Sequence, residues 1–309
     1  MDILLYGALL LSQIGTAAKQ YAMKKCGAVA PGAFNSICIN LARALICLGV
    51  SLVIWLIADC RGTNGVGWLI AVAAGVGTAL NLFTWILSSQ RVSLTLIECC
   101  CTVGSLVLPL LLAPVLFAGE RVTPLQWGGT ALVILSLLLF MGKDTKKRER
   151  RSLPVSILLL AVCSIGAMVA ALSKKLYTFH VSDAGLGSIE LFIFISFIAV
   201  AVVFSLLFAV YCPKEQRARA AAGTEADAPL LPYRRVWGYI LIAGSMLYVS
   251  ELFATYAAGL PSAVYYPAQK AIGVLGCFLL DVIVFHDRVT AKKILGLCLL
   301  ILAVVLINL

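Results

Sequence analysis

The chain alternates apolar stretches, each about as long as a bilayer is thick, with short breaks rich in Gly, Pro, Asn and charge. A helix needs about 20 mostly apolar residues to cross the hydrocarbon layer. That length predicts helices near 3–22, 34–57, 66–88, 92–117 and 124–141, then 153–174, 187–211, 235–258, 262–285 and 290–309. Lipid offers backbone groups no partners, so these runs must close their own hydrogen bonds as helices; the two-residue alternation of an outer-membrane barrel is absent. Turns such as Arg61-Gly62-Thr63-Asn64-Gly65 and Gly259-Leu260-Pro261 separate them. The fold class expected is all-α integral membrane, with ten transmembrane helices.

The pattern also repeats. Gly119-Glu120-Arg121-Val122-Thr123 precedes helix 5 and His286-Asp287-Arg288-Val289-Thr290 precedes helix 10; Glu120 and Asp287, like Gly129 and Gly296, are 167 positions apart. Five spans per copy is an odd number, so the second copy enters the bilayer upside down, as in transporters built from inverted repeats. The expected division is a first five-helix repeat over 1–142, a basic linker at 143–152 and a second repeat over 153–309. Glu120 and Asp287 stand just before helix N-termini, where free amides and the positive end of the dipole favour carboxylates, so their expected role is structural.

Composition narrows the picture further. Hydrophobic residues make up 62% of the 309 and charged residues 12%, too apolar for a water-soluble core of this size. The loops after helices 1, 3, 5, 7 and 9 carry 17 of the 24 Lys and Arg; the opposite side carries 4 (Arg61, Arg121, Lys174, Lys175), and Lys19, Arg43 and Lys270 lie inside helices. The positive-inside rule puts the crowded side in the cytoplasm and both termini outside, in a multi-pass protein of the cell (inner) membrane. The net charge of +10 is then a signal of topology and lipid contact, with no nucleic-acid partner expected. Trp55, Trp68, Trp85, Trp127 and Trp237 fall near helix ends, as interfacial anchors do. Residues 213–235 read as a mobile cytoplasmic connector.

The 11 cysteines sit mostly inside apolar runs, where they read as small packing residues. Cys99, Cys100 and Cys101 point to three sides of a helix, and the chain has 2 histidines, so neither a metal site nor a cofactor is expected. Clustered Asp or His near one interface, which a transferase acting on lipid-linked substrates would want, is missing, and so is a phosphate-binding Gly-Lys-Ser/Thr loop. The chain is therefore not expected to be an enzyme.

The Gly-Glu-Arg-Val-Thr turn, its second copy before helix 10, Pro109 in helix 4 and Arg43 in helix 2 resemble the drug/metabolite transporter superfamily, specifically its EamA-like two-repeat members. The resemblance covers essentially the whole chain. It implies a ten-helix bundle, a substrate cavity between the halves and alternating access. Helix 1 beyond Asp2, and helix 6, hold no Asp or Glu, a departure from the proton-coupled small multidrug members, which carry a carboxylate on the first helix.

The candidate site residues are the polar ones at depth. Thr95, Glu98, Thr102, Ser105 and Pro109 follow a +3/+4 spacing and share one face of helix 4. The 167-residue offset maps them to helix 9, where Tyr265, Gln269 and the adjacent Tyr266 and Lys270 are polar at the same depth. Substrate sites in inverted-repeat transporters lie near the midplane, where two such faces meet. Counting from the tight turn between helices 8 and 9 puts Glu251 and Lys270 at matching depth, and an ion pair between them is expected. Arg43 and Glu98 form a second expected pair, with two separately hydrated charges as the alternative. Gln13, Asn81 and Tyr248 would complete the cavity. Lys270 would hold a carboxylate or phosphate and Glu98 an amine, which favours an amino acid or similar zwitterion, exported by alternating access; a multidrug or organic-cation exporter is the alternative. The partners expected are a small-molecule substrate, the lipid bilayer and a coupling proton or ion, in a monomer or homodimer.

Overall fold

The computed structural model describes residues 2–58, 62–89, 97, 100–116, 122–140, 153–182, 185–221, 233–284 and 290–308. These residues are almost entirely helical: α1 Asp2–Val29, α2 Ala33–Ile57, α3 Gly65–Ser89, α4 Leu108–Leu116, α5 Pro124–Phe140, α6 Leu153–Tyr177, α7 Ile189–Ala221, α8 Tyr233–Ala257, α9 Ser262–Ile283 and α10 Ala291–Asn308. Six of them contain spans long and apolar enough to cross a membrane: Ala33–Ile57, Gly65–Ser88, Pro154–Ser182, Ile189–Arg217, Val236–Ala257 and Ser262–Leu280. The protein is thus an all-α, multi-pass membrane protein. Its outward face is built for lipid, with Leu69, Leu158, Leu206 and Val115 largely exposed.

The helix bounds follow the apolar runs closely, and the departures have local causes. α1 continues seven residues past its expected end, because Tyr21, Ala22, Met23 and Cys26 remain good packing residues after the lysine at 19. α7 runs to Ala221 through Pro213, so the connector read from 213 is helical over its first part; residues 222–232 lie outside the described residues, as does the linker 143–152. Val103–Val107 forms a π turn directly before Pro109. Proline has no N–H to donate and its ring crowds the carbonyl four residues back, and a wider turn relieves both faults. A second π turn, Thr178–Ser182, closes α6.

Of the repeated turn, Val122 and Thr123 are described, and Thr123 begins α5 with a capping box. The Thr123 amide donates to Gln126 Oε1 at 3.0 Å and the Gln126 amide donates back to Thr123 Oγ1 at 3.3 Å, which satisfies two amides that a helix start leaves open. Glu120 and Asp287 lie outside the described residues.

Helices pack in pairs that cross between the two halves of the chain. The most extensive contacts join α1 to α8, α3 to α6, α2 to α7 and α5 to α10. Replacing each helix by the one five positions on turns α1–α8 into α6–α3, turns α2–α8 into α7–α3, and leaves α2–α7 and α5–α10 unchanged. The two largest contacts share a device as well. Gly15 of α1 lies against the backbone of Met246 and Ser250 on α8, and Gly166 of α6 lies against Gly77 and Asn81 on α3. Lipid tails are as apolar as leucine, so helices in a membrane associate through close backbone packing, which small residues permit.

A Cβ added at Gly166 would stand 2.7 Å from the Gly77 carbonyl oxygen and 2.7 Å from the Asn81 amide nitrogen. Gly166→Ala is therefore expected to lower the unfolding free energy by about 1–3 kcal/mol, the usual cost of overpacking. Gly7→Ala, where nothing lies within 4 Å, is the matched control and should leave stability unchanged or raise it. Unfolding of both purified variants in detergent checks this.

Candidate functional site

Where the cross-paired helices meet they leave a cavity of about 130 Å³, partly open to solvent. Its wall draws on α1 (Gln13, Thr16, Lys19, Gln20), α2 (Arg43), α3 (Thr78, Asn81, Trp85), the segment before α4 (Cys101, Ser105), α6 (Lys174), α8 (Ser250, Glu251) and α9 (Tyr265, Gln269, Lys270). Polar side chains from both halves of the chain therefore face one space inside segments that are otherwise apolar.

Of the residues expected from sequence, Gln13, Arg43, Asn81, Glu251, Gln269 and Lys270 line this cavity. Glu98 lies outside the described residues, so its pairing with Arg43 does too. Thr102, Tyr248 and Tyr266 are buried but do not line the wall. For Thr102 the reason is the π turn that begins at the next residue, which breaks the +3/+4 register and leaves Cys101 and Ser105 facing inward. Tyr248 belongs to the apolar cluster around α2, α3 and α7, and Tyr266 stacks edge-on against Tyr265 with ring centres 5.1 Å apart.

The ion pair expected at Glu251 gains a cation that the sequence did not suggest. Glu251 Oε2 binds Lys174 Nζ of α6 at 2.6 Å, and the charge of Lys270 acts on the same carboxylate. The charge count places Lys174 and Lys175 among the cations outside the membrane, but the helix continues to Tyr177 and carries both into the interior. Lys175, 2% exposed, donates to the Leu260 carbonyl at 2.5 Å and so holds the tight turn between α8 and α9. With these two lysines inside the protein, the charge count on the less basic side falls further. Trp85 is a second correction: it is 9% exposed and forms part of the cavity wall, whereas Trp68, Trp127 and Trp237 are exposed as interfacial anchors are.

Neutral hydrogen bonds fix the rest of the wall. Thr16 and Ser250 share a hydroxyl contact of 2.6 Å between α1 and α8. Asn81 Nδ2 donates to the Cys163 carbonyl at 3.1 Å, and the thiols of Cys101 and Cys163 lie 3.3 Å apart beside it. Tyr265 donates to the Ala254 carbonyl at 3.1 Å. Arg43 is 1% exposed; its Nη1 donates to Asn40 Oδ1 at 2.8 Å, and its Nε and Nη2 have no hydrogen-bond partner. Among the described residues no three His, Cys, Asp or Glu come together as metal ligands would.

The Lys174–Glu251 pair also borders a second, much smaller hollow of about 10 Å³, walled by Ala74, Phe192, Phe197 and Val200. Thr78, Lys174 and Glu251 belong to both walls, so the ion pair is part of the partition between the two spaces.

Sequence reasoning missed Lys19, Lys174 and Ser250. For Lys19 the available signal was its neighbours Gln13, Thr16 and Gln20, which mark that stretch of helix 1 as polar. For Lys174 the available signal was the apolar run continuing through Leu176, Tyr177 and Val181.

The sequence matches no protein-family model and no curated protein. In fold it is similar to solved structures, of which 28 chains match. One, described only as the crystal structure of a protein, superimposes with a TM-score of 0.67 over 99% of this chain and 96% of its own length, at 14% sequence identity. A likeness at that identity concerns the fold alone.

Breaking a buried ion pair by removing one partner costs about 3–5 kcal/mol, because the remaining charge stays buried without compensation. Lys174→Met and Glu251→Lys should therefore each lower the melting temperature and the yield of folded protein. The exchanged double variant Lys174→Glu/Glu251→Lys should recover most of the loss, and an exchange no better than the single variants would refute the pairing.

Proposed function

We propose that the protein is a secondary transporter of a small polar metabolite, working by alternating access around the central cavity. The observation that carries this reading is the cavity itself: polar and charged side chains from α1, α2, α3, α6, α8 and α9 converge inside membrane-length apolar helices. Ionisable groups inside a bilayer cost several kcal/mol unless hydrated or paired, so their collection around one water-sized space calls for a function. The architecture proposed is ten spans in two inverted five-helix repeats, of the drug/metabolite type. It is supported by the packing pairs that interchange on a five-helix shift and by the matching close approaches at Gly15 and Gly166. Rocking of one repeat against the other would expose the cavity to each side in turn.

The four cations around the cavity weigh against the organic-cation exporter, which would meet charge of its own sign. The membrane proposed is the cell membrane, with the basic loops inside.

Uptake into proteoliposomes tests the reading, with a panel of labelled amino acids, organic anions and organic cations. Saturable uptake above empty vesicles is expected for at least one class, reduced tenfold or more by Glu251→Gln and Lys270→Ala. Flux equal to that of empty vesicles across all three classes would overturn the transporter assignment.

A further inference from the structure

The charges around the cavity do not balance. Among the described lining side chains, Lys19, Arg43, Lys174 and Lys270 are cationic and Glu251 alone is anionic. One further carboxylate would still leave the wall positive. Glu251 is bound to Lys174 and the described wall keeps a net positive charge, which favours an anion in the cavity.

Arg43 shows where. The guanidinium is held at one end: Nη1 donates to Asn40 Oδ1 at 2.8 Å, and Asn40, itself fully buried, donates to the Leu82 carbonyl at 3.3 Å. That anchoring leaves Nε and Nη2 without a partner. These two nitrogens form one edge of the planar group, the fork that receives two oxygens of a carboxylate or phosphate in parallel bonds. A donor pair of this kind, buried and unused in a low-dielectric wall, is costly to keep unless a ligand completes it.

We propose that the cavity takes an anionic metabolite whose carboxylate or phosphate group docks on the Nε–Nη2 edge of Arg43. Asn40 is the positioning residue that sets the plane of the fork. The surrounding lysines supply the long-range field that favours anions over zwitterions and cations of the same size. At 1% exposure the fork is dry, which is where a charge-assisted bond is strongest; the solute reaches it as the lining side chains give way during the access cycle. The inference rests on the transporter reading for its setting and narrows it to a substrate class.

Binding to the purified full-length chain in neutral detergent separates the two. The probes are succinate, glycerol phosphate, glycine and putrescine, with a short-chain anionic phospholipid as a further arm. The expected result is that succinate or glycerol phosphate binds at least tenfold more tightly than glycine or putrescine. Arg43→Gln should abolish that preference, and Arg43→Lys, which keeps the charge but loses the fork, should weaken anion binding about tenfold. If Arg43→Gln does not fold, Arg43→Lys and Asn40→Ala carry the test, each weakening the anion and leaving glycine and putrescine unchanged.

Preference for putrescine or glycine, unchanged anion binding in the Arg43 variants, or binding of the phospholipid alone would overturn the proposal. Anion binding without flux in proteoliposomes would leave it standing and sink the transporter assignment. Flux of cations or zwitterions without anion binding would do the reverse.

Discussion

Everything in this molecule answers to one constraint, that a hydrocarbon medium neither hydrates a charge nor accepts a hydrogen bond. Outside, the constraint is met by Leu, Ile and Val along every lipid-facing helix. Inside, each polar group has to find its partner within the protein or around a wet space. Lys174 and Glu251 answer one another at 2.6 Å, and Lys175 donates to the Leu260 carbonyl in the turn between α8 and α9. Ser105 and Ser164 donate to the carbonyls of Cys101 and Cys100, beside the π turn ahead of Pro109. The irregular backbone before α4 therefore stands where it faces the cavity, the one place in a membrane where broken helical bonds are tolerated.

The same constraint explains how the helices associate. Without a hydrophobic gain on leaving lipid, contact has to come from backbone approach, and glycine supplies it at Gly15, Gly75, Gly77, Gly104 and Gly166. These positions concentrate on α1, α3, α6 and the segment before α4, the elements that surround the cavity. Close packing beside a cavity has a mechanical consequence: the helices bordering it are stiff units with narrow tolerances, so any rearrangement there would move whole helices and not deform them.

The apolar runs made the helices legible, because length against bilayer thickness is a strong signal: α2 was read as 34–57 and forms over Ala33–Ile57, and α5 was read as 124–141 and forms over Pro124–Phe140. Depth was legible too, which is why Gln13, Arg43, Asn81, Glu251, Gln269 and Lys270 do face the cavity. What the sequence hid was rotation and choice of partner. Depth along a helix axis follows from 1.5 Å per residue, but which neighbour stands opposite depends on how the helices cross, and that crossing brings Lys174 to Glu251. Thr102 failed for a related reason, since a π turn shifts the face of every residue around it and leaves no mark in composition. Tyr248 failed because a tyrosine in the middle of a helix serves packing as readily as binding.

Bringing Lys174 inside changes the charge of the cavity wall. Among the described lining residues it joins Lys19, Arg43 and Lys270 as a cation, against the single carboxylate of Glu251. An anion is the natural complement of such a wall, and Arg43, clamped at Nη1 by Asn40 with Nε and Nη2 unbonded, has the geometry to receive one. On the proposed reading, electrostatics of this kind would also tie binding to motion: an anion near Lys174 would compete with Glu251 for the same ammonium group and so weaken a contact that belongs to the walls of both spaces. A cation shared in that way would link the proposed site to movement of α6 against α8 without a longer relay.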